Sequence, residues 1–482
     1  MLMSCQLDTT GKGVAIKDLS FVALFSLIFG SMMGSGVFDI PQNIAHRAGL
    51  IAVLISWVIT AVGMFALAYT FIYITLKKPQ IQSGIYGYAK HGFGDYIGFN
   101  SAWGYWLNAL LGNASYLVYI FATLANFTIF KIFGNGTTIV ALIGESFLIW
   151  LVYFLVARGI KEASIVNVLI TTVKILALFT VIVIFIYAFK FARFKANFVF
   201  DVNFGSILTQ VKSTMLVTVW DFLGIEAACI YALRAKKMAD VVKATMFGGL
   251  VVFMIDALIS VLPFGILEGN MISNLITPST ASILVQITSS NFAQLVRVAV
   301  IISVVGALLA WSMLATNIIY LAADDGAMPK FLGKLSNKKV PKNSLLVSMD
   351  VLQIFIIASY LTQSVYLAMI QLATSLILVP YFLAALYAFK LLLRERYFDI
   401  LSVIKGILAI LYGLWLIYAG GLKYLVFSTL LYSIGFVVYA IARKERGKNI
   451  FNNHYELFIF LFLLMVAIFS TILWAIGHLT LD

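Results

Sequence analysis

Long apolar runs, separated only by short polar stretches, recur along this chain from residue 19 to residue 478. Each is near or above the roughly 20 residues that a helix needs to cross a hydrocarbon core about 30 Å thick. The runs do not alternate apolar with polar positions, so they predict helices and not the strands of a membrane barrel. The pattern predicts thirteen spans, at 19–46, 50–75, 96–125, 137–156, 163–189, 206–233, 244–267, 293–322, 344–361, 363–389, 399–418, 421–442 and 455–478.

Two of these runs are interrupted. In the first span, Gly30-Ser31-Met32-Met33-Gly34-Ser35-Gly36 places three glycines and two serines within seven residues. Glycine weakens a helix by about 1 kcal/mol per position relative to alanine, so this stretch predicts a break. The sixth span carries a second one at Trp220-Asp221-Phe222-Leu223-Gly224-Ile225-Glu226. Spans one to five and six to ten therefore each open with a broken helix. An odd number of spans per unit inverts the second unit, and paired interruptions of this kind point to a transporter's binding site near mid-membrane. The expected organisation is a tail at 1–18, inverted repeats at 19–189 and 206–390, and peripheral helices at 399–482, with no separate soluble domain.

Composition agrees with the pattern. Hydrophobic residues make up 62% of the chain and charged residues 11%, whereas a soluble domain runs near half apolar and a quarter charged. The net charge of +13 is a matter of topology. With the N-terminus and every second loop on one side, that side holds 24 Lys and Arg, the other holds eight, and Lys174 alone lies deep in a span. The bias assigns the N-terminus and the basic loops to the cytoplasm, and nucleic-acid binding is excluded. Cys5 and Cys229 offer no disulfide framework, and the four histidines are scattered. No metal or cofactor is expected, nor an enzyme, for want of a nucleophile–base pair or ligand cluster. The polar first 18 residues lack an apolar signal core, so no removable signal peptide is expected.

The chemistry gathers at the breaks. From Ser35 and Gly36 onward, unpaired amides open a half-helix at 37–47, and such an end attracts a carboxylate without a basic side chain. The competing reading of Gly30 and Gly34 is a close-packing face. At the second break, carbonyls freed around 219–224 and the side chain of Asp221 offer negative charge to an ammonium group. An ionisable group at that depth marks function unless a basic neighbour pairs with it. Together the breaks suit a zwitterion, an amino acid or a decarboxylated relative. Trp220 and Trp311 lie deep in their spans, where an indole face attracts cations or simply packs. Tyr105, Asn108, Gly112 and Asn113 share one helical face of span three. Lys174 is either a snorkelling side chain or a fixed buried cation. Asp39, Glu145 and Asp256 are further intramembrane acids with no assigned role.

Gly34-Ser35-Gly36-Val37-Phe38 with Pro41-Gln42-Asn43, then Gly84-Ile85-Tyr86-Gly87-Tyr88-Ala89-Lys90, then Ala322-Ala323-Asp324-Asp325-Gly326 resembles the basic amino acid/polyamine antiporters of the amino acid–polyamine–organocation superfamily. The resemblance runs through about residue 390 and is nearest to bacterial arginine/agmatine and arginine/ornithine exchangers. It implies an all-α polytopic protein of the APC/LeuT-type fold, a 5+5 inverted repeat with helices 1 and 6 discontinuous and 12–13 transmembrane helices in all. It also implies that Ser35 and Gly36 take the substrate carboxylate, that Trp220 covers the substrate, that Trp311 stacks on the guanidinium with Asn113 nearby, and that Tyr105, Glu226 and Tyr381 form an inner gate. Lys174 stands where related permeases carry a lysine in place of sodium. The expected substrate site is Ser31, Met33, Gly34, Ser35, Gly36, Asn108, Asn113, Trp220, Asp221, Gly224 and Trp311. The function so implied is exchange of external arginine for internal agmatine, without cofactor, in the bacterial inner membrane, by a protein whose relatives often form dimers. An arginine/ornithine antiporter and a proton-coupled basic amino acid importer are the alternatives; a sensor would carry a signalling domain that is not seen. Asp221 and Asn108 depart from the family pattern, replacing a serine and a small residue, and make the pocket more polar. The thirteenth span exceeds the usual twelve.

Overall fold

A computed structural model describes residues 19–81, 83–198, 204–362, 366–394 and 399–476. The expected tail at 1–18, with Lys12, Lys17 and Cys5, lies outside them. The helices are α1 (Phe21–Met32), α2 (Gly36–Ala45), α3 (Leu50–Lys77), α4 (Gly84–Phe93), α5 (Asp95–Leu124), α6 (Ile139–Arg158), α7 (Ile160–Ala188), α8 (Phe191–Asn197), α9 (Ile207–Trp220) and α10 (Ala227–Ile230). They continue as α11 (Met238–Val261), α12 (Gly269–Ser273), α13 (Ser279–Ile287), α14 (Ser290–Asp324), α15 (Lys342–Thr362), α16 (Tyr366–Leu392), α17 (Ile400–Ala419), α18 (Gly421–Lys444) and α19 (His454–Ala475). No strand occurs among the described residues; Leu19 and Ala235 form an isolated bridge.

By length and composition, twelve segments can cross a membrane, the α1–α2 run among them. The interrupted α9–α10 run is too broken to count with these and supplies the thirteenth span that the apolar pattern predicts. Both breaks fall where glycine and serine thin the side-chain cover. Helix α1 stops at Met32, Met33 leaves helical geometry at φ −82°, ψ 73°, and α2 restarts at Gly36, one residue before the expected start. After α9 ends at Trp220, six residues run as turns. Gly224 takes φ +107° there, a left-handed value that any side chain would strain.

Around the breaks, α1 packs on α11, α7 and α14, while α5 is pressed between α14 and α16. Almost every residue of α5 is buried. The outer helices instead turn apolar side chains outward: Leu169, Phe179, Phe458 and Ile468 are all more than half exposed. In water such a surface would aggregate; against acyl chains it is the expected exterior.

Loops assigned to one side of the membrane do meet. On the basic end, Leu19 and Arg234 join through the backbone at 2.9 Å, Lys90 pairs with Asp325 at 2.8 Å, and Arg443 pairs with Asp95 at 2.8 Å. Tyr86 donates to the same Asp325 at 2.9 Å; burial and that carboxylate push its hydroxyl above the usual range, which keeps it a donor. At the opposite end, Asn126 donates to the Thr277 carbonyl at 3.2 Å and the Gly49 amide to Gln210 at 3.0 Å. The C-terminal pair α18–α19 is tied to α5 and α16. Trp103 donates to the Leu431 carbonyl at 2.8 Å, Tyr432 to the Leu376 carbonyl at 2.7 Å, and the Tyr96 amide to Glu456 at 3.2 Å.

Candidate functional site

The two breaks lie against each other. The Ser31 hydroxyl is 2.8 Å from the Leu27 carbonyl and 3.4 Å from that of Gly224. A Cβ at Gly224 would overlap Ser31, so only glycine permits this approach. Trp311, from the middle of α14, donates its indole N–H to the Ser31 carbonyl at 2.8 Å. That carbonyl is one of those left free where α1 ends, and the tryptophan both satisfies it and fixes its own ring plane.

The restart of α2 is overlain by the other break. Asp221 sits so close above Gly36 that a Cβ there would meet its carboxylate, with Trp220 beside it. Asp221 is 1% exposed, and neither carboxylate oxygen has a hydrogen-bond partner among the described residues. The ion pair considered from the sequence as its alternative role is therefore not what buries it. Gly34 lies under Tyr116 in the same way, and Tyr116 stands 5.9 Å from the Trp220 ring centroid. Trp220 reaches Gly112 on α5 and is 7% exposed.

The α5 face predicted from Tyr105, Asn108, Gly112 and Asn113 lines this region. Tyr105 lies 5.9 Å from Trp311, centroid to centroid. The Asn113 amide donates to Ser312 at 3.1 Å and that of Asn108 to the Ala373 carbonyl at 2.8 Å. Both asparagine carbonyl oxygens remain buried without a hydrogen-bond partner among the described residues. Toward the basic end, Glu226 receives Tyr105 at 2.7 Å on one oxygen and Tyr381 at 2.5 Å on the other. The Gly224 amide donates to Tyr381 at 3.4 Å. Three residues far apart in sequence thus meet at one buried carboxylate.

Lys174 is fully buried, and its ammonium donates to the carbonyls of Gly30, at 3.2 Å, and Met33. It does not snorkel. It occupies, from α7, the carbonyls that the end of α1 leaves open. Lys174→Met is expected to lower stability by about 1–3 kcal/mol by orphaning buried carbonyls. The melting temperature of the purified variant checks it.

Other acids lie elsewhere. Asp39 is in the first turn of α2, where it accepts the Ser279 amide at 2.6 Å. Glu145 is buried in α6 with one oxygen unpartnered. Asp256, on α11, is fully buried, and neither of its carboxylate oxygens has a hydrogen-bond partner among the described residues. An open cavity of about 710 Å³ lies not at the breaks but beyond them, between Asp39, His46, Arg47, Tyr119, Asn126 and Thr277. It faces the less basic end, opposite the contact of Glu226 with Tyr105 and Tyr381. Sequence reasoning missed Tyr116, Ser312 and the Ala373 carbonyl. Tyr116 is i+3 from Asn113 and continues the same face, a signal that was present; the other two depend on helix packing.

Set beside known proteins, residues 19–468 match the sequence model of the amino acid permease family. An arginine/ornithine antiporter of Pseudomonas aeruginosa is 44% identical over 454 residues, covering 91% of this chain and 93% of that one. An arginine/agmatine antiporter of Chlamydia abortus is 36% identical over 469 residues, 94% of this chain and 96% of that one. Among solved structures, a substrate-bound, outward-open Na+-coupled sialic acid symporter superposes with a TM-score of 0.52 at 12% identity, over 85% of this chain and 90% of that one. At that identity the likeness is one of fold.

Proposed function

The chain belongs to the amino acid permease family, and we propose that it is a basic amino acid antiporter that takes up arginine in exchange for ornithine. The observation that carries this reading is the set of buried acceptors without a hydrogen-bond partner among the described residues, on Asp221 beside the restart of α2 and on Asn108 and Asn113 of the α5 face. Such acceptors are costly to leave unpaired, and a ligand rich in N–H donors satisfies them.

The substrate carboxylate settles on the first amides of α2, where the Asp221 side chain lies close to Gly36. Asp221, displaced, receives the α-ammonium group. The guanidinium lies against Trp311, worth up to about 2 kcal/mol when desolvated. Trp220 closes the outer side, the Tyr105–Glu226–Tyr381 contact opens the inner side, and an empty carrier that turns over slowly makes exchange obligatory. Lys174 does the work of a sodium ion at the end of α1. In this reading residues 19–189 and 206–390 are inverted repeats, the basic end faces the bacterial cytoplasm, and the protein works as a dimer in the inner membrane.

Ornithine is the first counter-substrate because it keeps the carboxylate that the first break is built to hold and because the Pseudomonas relative is named for it. Agmatine is the second reading, favoured by Asp221, which offers a decarboxylated dication a charge that the amides do not. Labelled arginine uptake into proteoliposomes loaded in turn with ornithine, arginine, agmatine or lysine tests the proposal. Ornithine-loaded vesicles are expected to take up at least tenfold more than empty ones. Equal uptake into empty vesicles under a pH gradient would mean an importer.

A further inference from the structure

Helix α6 ends at Arg158, and α15 starts at Lys342 after the connector that follows α14. Residues 330–342 hold five lysines and no acid; beyond Arg158 the sequence adds Lys161 and Glu162, one charge of each sign. The connector is pinned in place. The Ser336 amide donates to the Val340 carbonyl at 2.8 Å, the Lys339 amide to the Ser336 carbonyl at 2.8 Å, and the Val340 amide to the Ser336 hydroxyl at 3.2 Å. From the first turn of α15, Asn343 and Ser344 reach back to the Phe331 and Leu332 carbonyls at 2.7 and 2.8 Å.

Helices α6 and α15 pack side by side, and a hollow of about 590 Å³ opens between the end of α6 and this turn. Phe154, Arg158, Ser336, Asn337, Lys338 and Lys342 line it. Three cations from separate elements thus converge on one space. No acid is among its lining residues, and none of the three cations has an ion pair among the described residues. Asp350, exposed, lies two turns on, about 12 Å along α15. Like charges gathered this way repel, and an anion among them turns the repulsion into attraction.

The walls narrow the kind of anion. Phe154 is 64% exposed, and Leu151 and Phe147 continue from it at helical spacing as an outward apolar stripe along α6. On the other side Leu346, one turn beyond Lys342, is exposed as well. A soluble anion gains nothing from such a stripe, whereas an amphiphile lays its tails on it. The Asn337 amide and the Ser336 hydroxyl add neutral donors that phosphate or glycerol oxygens can accept.

We propose that this hollow binds the headgroup of an anionic phospholipid, its phosphate held by Arg158, Lys338 and Lys342 and its acyl chains lying along Leu151 and Phe147. Basic pockets between membrane helices at the polar boundary suit such headgroups. The inference is independent of the exchange reading, since no residue of either break takes part.

The test is native mass spectrometry of the purified, detergent-solubilised protein, with phosphatidylglycerol or phosphatidylcholine added in turn. One phosphatidylglycerol is expected to bind at least tenfold more tightly than phosphatidylcholine. Lys338→Gln combined with Lys342→Gln should weaken that binding by about 10- to 30-fold. Arg158→Gln, on the opposite wall, should weaken it by about fivefold, and serves if the double variant does not melt as the wild type does. Lys236→Gln with Lys237→Gln removes the same charge from another exposed loop and should change nothing. Equal binding of the two lipids, or unchanged binding in the double variant and in Arg158→Gln, overturns the inference. An equal loss in the Lys236/Lys237 control also overturns it, since the attraction would then be diffuse surface charge. Displacement of the lipid by millimolar inorganic phosphate overturns the lipid assignment and leaves a site for a free anion.

Discussion

Gly36→Ala is expected to abolish measurable arginine exchange while leaving the protein folded. The added methyl group falls on the Asp221 carboxylate and the edge of Trp220, at the spot where a substrate carboxylate must reach the first amides of α2. Hydrogen bonds to a charged group contribute about 1.5–3 kcal/mol, so losing them lowers affinity by roughly 10- to 150-fold. The ring of Trp220, pushed aside, also loses its seat over the pocket. Binding of arginine and agmatine to the purified variant separates the causes. Agmatine has no carboxylate and should lose much less affinity than arginine; equal losses would mean that the methyl group distorts the pocket as a whole.

Trp311→Leu is expected to remove arginine binding to a similar degree, by a different route. It deletes the aromatic face offered to the guanidinium, up to about 2 kcal/mol, and the N–H that satisfies the Ser31 carbonyl at 2.8 Å. A buried carbonyl left without a donor costs a further 1–3 kcal/mol or so. Trp311→Phe keeps a face and loses the N–H, and so divides the two contributions. Titration of arginine against both variants, with melting temperature as the control, reads them apart. Unchanged affinity in Trp311→Leu would move the guanidinium elsewhere.

Twelve of the thirteen spans were legible because span length is set by bilayer thickness, a constraint that leaves a long apolar run with one role. The breaks were legible because Gly30, Gly34 and Gly36, with Ser31 and Ser35, cannot shield a helix backbone in lipid. What did not show was pairing between distant segments. Asn113 meets Ser312 across 199 residues and Trp311 meets Ser31 across 280; helix packing decides such contacts, and no local periodicity encodes them. Asp221 and Asp256 each stood out as acids at depth. The short helices α4, α12 and α13 also escaped the span pattern, since none is long enough to cross a membrane.

The anchorage of α18 and α19 divides the molecule mechanically. Their hydrogen bonds run to α5 and α16 and their ion pair to Asp95, whereas both broken helices lean on α11. A tilt of the broken helices with α11 therefore leaves the C-terminal pair behind. In the exchange proposed above, the extra spans would serve as ballast, enlarging the part that stays still so that a tilting bundle rearranges little lipid at each turnover.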